Sequence, residues 1–236
     1  MKVRNVLLCI VGSALTLLLA DPSANATLST FSGSDPGTGP TNFPNSAAAE
    51  AAFLSAAGAL GSVSKIDFES IVAHDYGLPW TITPGVTVTR ANGIGNPYVY
   101  NTPFPISGYG WNTTPGGSKW FYSNGSSLTL NFGTPVSAFG CYFTGATFSG
   151  EAVQFNDGSD QSIAIPNTGT GIQFVGFTDQ GKLISSVTLD FLLFDSWGVK
   201  GIDDISYVTV PEPTTWALLA TALAMFGVTR CRVWMK

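Results

Sequence analysis

The chain has 236 residues, of which 11% are charged and 44% hydrophobic, and it contains 27 glycines and 14 prolines. Such a composition describes a turn-rich, β-rich globular chain and excludes an extended disordered one. Between residues 27 and 210 five basic residues stand against thirteen acidic ones, a net of −8, so this stretch repels nucleic acid and anionic lipid and suits cations or neutral polar ligands such as sugars.

Lys2 and Arg4 precede an apolar run from Val6 to Ala20, and Ala24-Asn25-Ala26 follows with small residues flanking a cleavage point. Residues 1–26 therefore read as a secretory signal helix cut after Ala26, the run being shorter than the about 20 residues a bilayer span needs. Residues 27–45 are rich in Ser, Thr, Gly, Pro and Asn without periodicity and read as a flexible leader. Asn45 or Ser46 is placed to cap a helix through Ala47 to Leu60, ended by Gly61, with Phe53, Leu54 and Leu60 turned to a sheet.

From Lys65 the pattern changes to short strand-like runs punctuated by turns. Strands are predicted at 65–71, 80–90, 97–101, 118–122, 126–132, 136–144, 151–155, 160–165, 171–178, 184–194 and 201–209. Leu128, Leu130 and Phe132 alternate with polar residues, as one face of a strand requires. Asn156-Asp157-Gly158-Ser159-Asp160 is a hairpin signal, since Asp-Gly accepts the positive φ of a tight turn. The predicted fold is all-β: a two-sheet antiparallel, jelly-roll-like sandwich over residues 46–210 with one short N-terminal helix. Cys9 lies in the leader and Cys231 in the tail, which leaves Cys141 alone in the domain, in a strand-like run where it reads as a buried hydrophobe.

Two groups of residues could carry a site. If the first and last strands lie side by side, Glu69 meets Asp203 and Asp204, and oxygen ligands of this type suit calcium, with Asp67, Asp75 and Asp195 as further ligands. Tyr98, Tyr100, Tyr109, Trp111, Trp120 and Tyr122 lie among Asn, Gly, Ser and Pro, a setting that suits the apolar faces and hydroxyl rims of sugar rings. Trp111 is expected on an exposed loop, and Trp197 on a turn is a further candidate; Tyr98, Tyr109, Trp111 and Trp197 form the predicted glycan set. Catalysis has little support: His74 is the sole histidine, and no spacing selects a pair of carboxylates for glycoside hydrolysis. There is no phosphate-binding Gly loop, and no regular Thr repeat presents the flat face of an ice binder.

The tail is more specific. Val210-Pro211-Glu212-Pro213 leads into an apolar run from Trp216 to Val228, followed by Arg230, Cys231, Arg232 and Lys236. A helix over this run is roughly 20 Å long, short for a stable span, and the basic cluster would hold its end in the cytoplasm. Residues 211–236 resemble the PEP-CTERM sorting signal of Gram-negative bacteria, although Cys231 interrupts the arginines and Val233-Trp234-Met235-Lys236 extends the tail. The resemblance implies export through the inner membrane, anchoring by the C-terminal hydrophobic helix, and recognition of Pro211, Glu212 and Pro213 by an exosortase-type membrane protease. Ile66-Asp67-Phe68-Glu69, Phe139-Gly140-Cys141-Tyr142-Phe143 and Gly201-Ile202-Asp203-Asp204-Ile205, in that order, are similar to jelly-roll domains related to carbohydrate-binding modules. The expected protein is a non-catalytic cell-surface or matrix component that binds exopolysaccharide or other glycans. The alternatives are a structural surface protein without a small ligand and a polysaccharide hydrolase.

Overall fold

The computed structural model describes residues 27–37, 42–93, 95–102, 110–123, 125–145, 151–156, 161–165, 171–191 and 201–210. The signal segment, the Pro211-Glu212-Pro213 tail, Tyr109, Asp195 and Trp197 lie outside them. In chain order the elements are β1 (Thr27–Asp35), α1 (Pro44–Gly58), β2 (Val63–Ile66), β3 (Trp80–Thr83), β4 (Val86–Asn92), β5 (Tyr98–Asn101) and β6 (Lys119–Tyr122). They continue with β7 (Ser127–Thr144), β8 (Glu151–Asn156), β9 (Gln161–Ile165), β10 (Ile172–Gln180), β11 (Ile184–Asp190) and β12 (Gly201–Thr209). The described residues are thus mostly antiparallel β with one helix, a sandwich-like all-β fold.

The long strand β7 organises it. Its first half, Ser127 to Phe132, pairs with β4 on one side and β11 on the other, and β8 and β9 extend that layer. Its second half, Val136 to Thr144, pairs with β12 and β10, and β1, β2, β6 and β5 complete a second layer. The two runs predicted at 126–132 and 136–144 are therefore one strand, bent around Gly133, whose amide donates to the Gly85 carbonyl at 2.8 Å. Conversely, the single run predicted at 80–90 is a hairpin, because Pro84-Gly85 turns the chain and Gly85 takes φ +83°.

Alternation along each half of β7 fixes what faces what. Leu128, Leu130 and Phe132 from one layer and Phe139, Cys141 and Phe143 from the other share one buried core, closed across the layers by Phe155 of β8 stacked on Phe177 of β10 at 4.2 Å. On the far side of the second layer, Phe53 and Ala57 of α1 pack on Ala138, Tyr142, Phe174 and Val208. Here Gly140 and Gly176 pair across β7 and β10 and make room for two rings: a Cβ on Gly140 would lie 2.6 Å from Phe174 Cζ and 3.2 Å from Phe53.

Three expectations about the N-terminal region are corrected. The stretch read as a flexible leader contains β1, which pairs with β10 along its whole length, from Thr27 opposite Gln180 to Asp35 opposite Ile172. Its polar sequence hid this, because an edge strand needs few apolar anchors; here Leu28 touches the main core and Phe31 stacks edge-on against Phe53 at 5.9 Å. The helix begins at Pro44, and its cap comes from β1, not from Asn45 or Ser46. Asp35 accepts hydrogen bonds from the amide and hydroxyl of Ser46 at 2.8 and 2.7 Å and from the Asn45 amide at 3.2 Å, satisfying amides left open at the first turn. Leu54 is exposed, since the buried stripe runs through Ser46, Phe53 and Ala57 and position 54 lies a step of about 100° around the helix from 53.

Candidate functional site

Glu69, Asp203 and Asp204 come together through a loop that hydrogen-bonds to all three. In a regular strand consecutive side chains point to opposite faces. At Asp203 and Asp204 they do not: the register of β12 against β7 slips between Asp203 and Ser206, and Asp204 takes φ +51°, a bulge that turns both carboxylates to the loop Trp111 to Ser118. Asp203 Oδ2 accepts from the Thr113 amide at 2.7 Å, the Thr113 hydroxyl at 3.1 Å, Asn112 Nδ2 at 3.2 Å and the Thr114 amide at 3.3 Å. Asp204 accepts the Thr114 hydroxyl at 2.6 Å and pairs with Lys65 Nζ at 3.0 Å.

Glu69 closes the other side. Its Oε1 accepts from Asn112 Nδ2 and from the amides of Ser118 and Lys119, each at 2.9 Å, while Lys119 Nζ donates to the carbonyls of Glu69 and Ile71 at 2.7 and 2.6 Å. The Asn112 amide thus bridges Glu69 and Asp203, and the whole is a clasp joining the turn after β2, the 111–119 loop and β12. Most of these oxygens already accept N–H and O–H donors, and one ammonium, that of Lys65, pairs with Asp204, so a calcium ion at the three carboxylates would have to displace protein hydrogen bonds. Among the described residues no group of three or more His, Cys, Asp or Glu is arranged to hold a metal ion. Asp67 is used locally, accepting the Glu69 amide at 3.1 Å, and Asp75 is exposed in a bridge opposite Tyr98.

Burial, and then the charge of Asp204, push the Asp203 carboxyl well above its ordinary range; amide donation from Thr113 and Asp204 pulls the other way without overcoming them. Asp35 shows the opposite balance. Burial raises it, but the donors of Ser46 and Asn45 together outweigh burial and hold it below the usual carboxylate value.

The aromatic candidates divide. Trp111 is 2% exposed and packs with Phe53, Tyr142 and Phe174, so the expectation of an exposed loop platform is corrected: the loop is at the surface, yet its indole fills the layer under α1. Thr144 fixes it there, its hydroxyl accepting the Trp111 amide at 3.0 Å. Tyr98 behaves differently. The β5–β6 register sets Tyr98 opposite Tyr122 and Tyr100 opposite Trp120, all on one face, while Val99 and Phe121 point into the core. Tyr98 and Tyr100 are 4.6 Å apart by ring centroid, Tyr100 and Trp120 4.8 Å, and the three tyrosines are half-buried. Asp75 flanks this row through its bridge to Tyr98.

One aromatic group escaped the sequence. His74, Tyr76 and Trp80 stack in a column with centroids 3.8 and 3.9 Å apart, running from exposed His74 toward Phe121 in the core. Alternate positions in 74–76 were the only local hint, and the turn that brings Trp80 onto Tyr76 is not encoded in that spacing. His74 Nδ1 contacts the Asp75 carbonyl, and the Cys141 thiol is fully buried and pushed up by burial. No helix among the described residues is long and apolar enough to cross a membrane. No protein-family model matches the chain, and no curated protein shows significant similarity to it.

Proposed function

We propose that this is an exported, non-catalytic surface domain that binds neutral glycan through the tyrosine face of β5 and β6. The observation that carries it is the register that sets the half-buried Tyr98, Tyr100 and Tyr122 on one face, backed by the fully buried Trp120, with rings 4.6–5.7 Å apart. Half-buried tyrosines offer flat apolar faces at little entropic cost and hydroxyls at their rim, the combination sugar rings take. A lack of catalytic chemistry is supported by how the acidic residues are used: Glu69, Asp203 and Asp204 hold the 111–119 loop and are not turned as a pair to a cleft. In the same proposal the Pro211-Glu212-Pro213 segment addresses the chain to an exosortase-type protease, and the apolar run after it holds the chain in the inner membrane of a Gram-negative cell until processing to the surface or matrix.

The second reading, a structural surface protein without a small ligand, is favoured by the burial of Trp111. Binding of the full chain to immobilised exopolysaccharide, compared with Tyr98→Ala and Tyr100→Ala variants, separates the two. Saturable binding weakened by either substitution is the expected result. Failure of the full chain to bind would remove the glycan role and leave the structural one.

A further inference from the structure

The two layers of the sandwich are finished differently on their outer sides. The second layer is covered by α1 and Trp111, whereas the outer face of the first layer, from β3 through β9, is covered by no element among the described residues. On that face residues two apart share a side, and the registers align them across strands. One row runs Thr89, Thr129, Thr188, Gln154 and Ser162. The next runs Thr81, Thr87, Asn131, Ser186 and Asn156. The alternating positions Val88, Leu130, Val187 and Phe155 point into the core. A hydroxyl-rich repeat thus exists in the register and not along the sequence, since each strand contributes only one or two members.

The chemistry of the face is selective. None of the ten side chains is charged, whereas solvent-facing strands are commonly guarded by Lys and other charges. The groups are also fixed in place. Thr129 and Thr188 share a hydroxyl hydrogen bond at 2.8 Å, and Asn131 Nδ2 donates to Thr89 Oγ1 at 2.9 Å. Asp190, held by the Ser127 hydroxyl at 2.9 Å, accepts Gln154 Nε2 at 3.0 Å and so orients the Gln154 carbonyl oxygen. Over β11, β8 and β9 the face sinks into an open cleft of about 350 Å³ lined by the polar side chains of Gln154, Asn156, Gln161, Ser162, Ser186 and Thr188 together with Phe155. Neutral amides and hydroxyls, each able to donate and accept, match the vicinal hydroxyls of a sugar ring.

We infer that this cleft, centred on Gln154 and Thr188, is a binding site for a neutral polyhydroxylated polymer, a glycan laid across the strands. It rests on the glycan function proposed above and gives it a site separate from the tyrosine face. A water lattice is a poorer occupant, because it requires a flat plane of free hydroxyls, and here the surface is concave and the hydroxyls pair with one another.

The test is affinity electrophoresis of the full chain in gels containing hydroxyethylcellulose or dextran, with alginate as an anionic control. A Gln154→Leu, Thr188→Val double variant keeps strand-compatible shapes, and Ser162→Ala, at an exposed position, serves as the milder second variant. The neutral glucans are expected to retard the wild type, the double variant to bind at least about tenfold more weakly, and Ser162→Ala to fall between, as the loss of two and one hydrogen bonds requires. Wild-type-like retardation of both variants together with loss in Tyr98→Ala would overturn this site and leave glycan binding intact. No retardation of the wild type by any polymer would overturn both. Inhibition of ice recrystallisation without glucan binding would hand the face to water instead.

Discussion

Replacing Trp111 by alanine separates a buried indole from a displayed one. Tryptophan buries about 200 Å² of largely apolar surface, worth about 5 kcal/mol at about 25 cal/mol per Å². The side chain is 2% exposed among Phe53, Tyr142 and Phe174, so nearly all of that surface is removed from water. Its loop lies at the periphery and can close part of the gap, which brings the expected loss to about 3–5 kcal/mol. In a domain of this size each kcal/mol moves the midpoint by about 2–4 °C, giving a fall of roughly 6–20 °C. Near-ultraviolet circular dichroism on heating the full chain reads this directly, and Trp111→Phe is expected to recover part of the loss. An unchanged midpoint combined with lost glycan binding would refute the packing and restore Trp111 as an exposed platform.

The clasp gives a second expectation: Glu69→Ala orphans three N–H donors and should cost about 2–4 kcal/mol in urea unfolding, while Glu69→Gln, which keeps an acceptor oxygen, should cost less than half as much. In the same assay calcium followed by a chelator is expected to leave the midpoint in place; a rise with calcium would show that the 111–119 loop yields its carboxylates to a cation. The pH dependence has two limbs. Asp203, raised in the fold, contributes stability that is complete below its unfolded value of 3.8 and is lost as pH climbs through its folded value. Asp35, lowered in the fold, contributes above 3.8 and loses its contribution as pH falls through its folded value. The midpoint should therefore rise as pH falls from neutrality toward 4 and drop below that, Asp203→Asn flattening the first limb and Asp35→Asn the second; a wild-type slope retained in either variant would sink the assignment. Gly140→Ala should cost about 1–3 kcal/mol by forcing Phe174 and Phe53 apart, measured by thermal unfolding, and a neutral result would mean the rings move freely. Alanines at Pro211, Glu212 and Pro213 should leave the chain at full mass in the inner-membrane fraction; unchanged release would exclude the sorting role.

Much of the fold could be read directly from local pattern. Leu128, Leu130 and Phe132 alternate because one face of β7 is buried, and Cys141 sits in the core as an isolated cysteine in an apolar strand should. The juxtaposition of Glu69 with Asp203 followed from the motifs at the two ends of the domain. What the sequence withheld is non-local. The bulge that swings Asp204 beside Asp203 depends on the register with β7, and the Asn112 amide that links them to Glu69 comes from a loop with no motif of its own. β1 carries only Leu28 and Phe31 as anchors, too few to produce a period, and its identity is conferred by β10. The hydroxyl rows are invisible for the same reason: Thr89 and Thr129 are forty positions apart and become neighbours only by pairing.

The proposed recognition of neutral glycan is put to the test by the affinity of the full chain for a neutral glucan as salt is raised. Recognition by tyrosine faces and uncharged amides and hydroxyls is expected to bind the neutral polymer with an affinity nearly independent of salt, and to ignore an anionic one that the net −8 of residues 27–210 repels. Absence of neutral-glucan binding, or binding only to the anionic polymer with steep salt dependence, would contradict it.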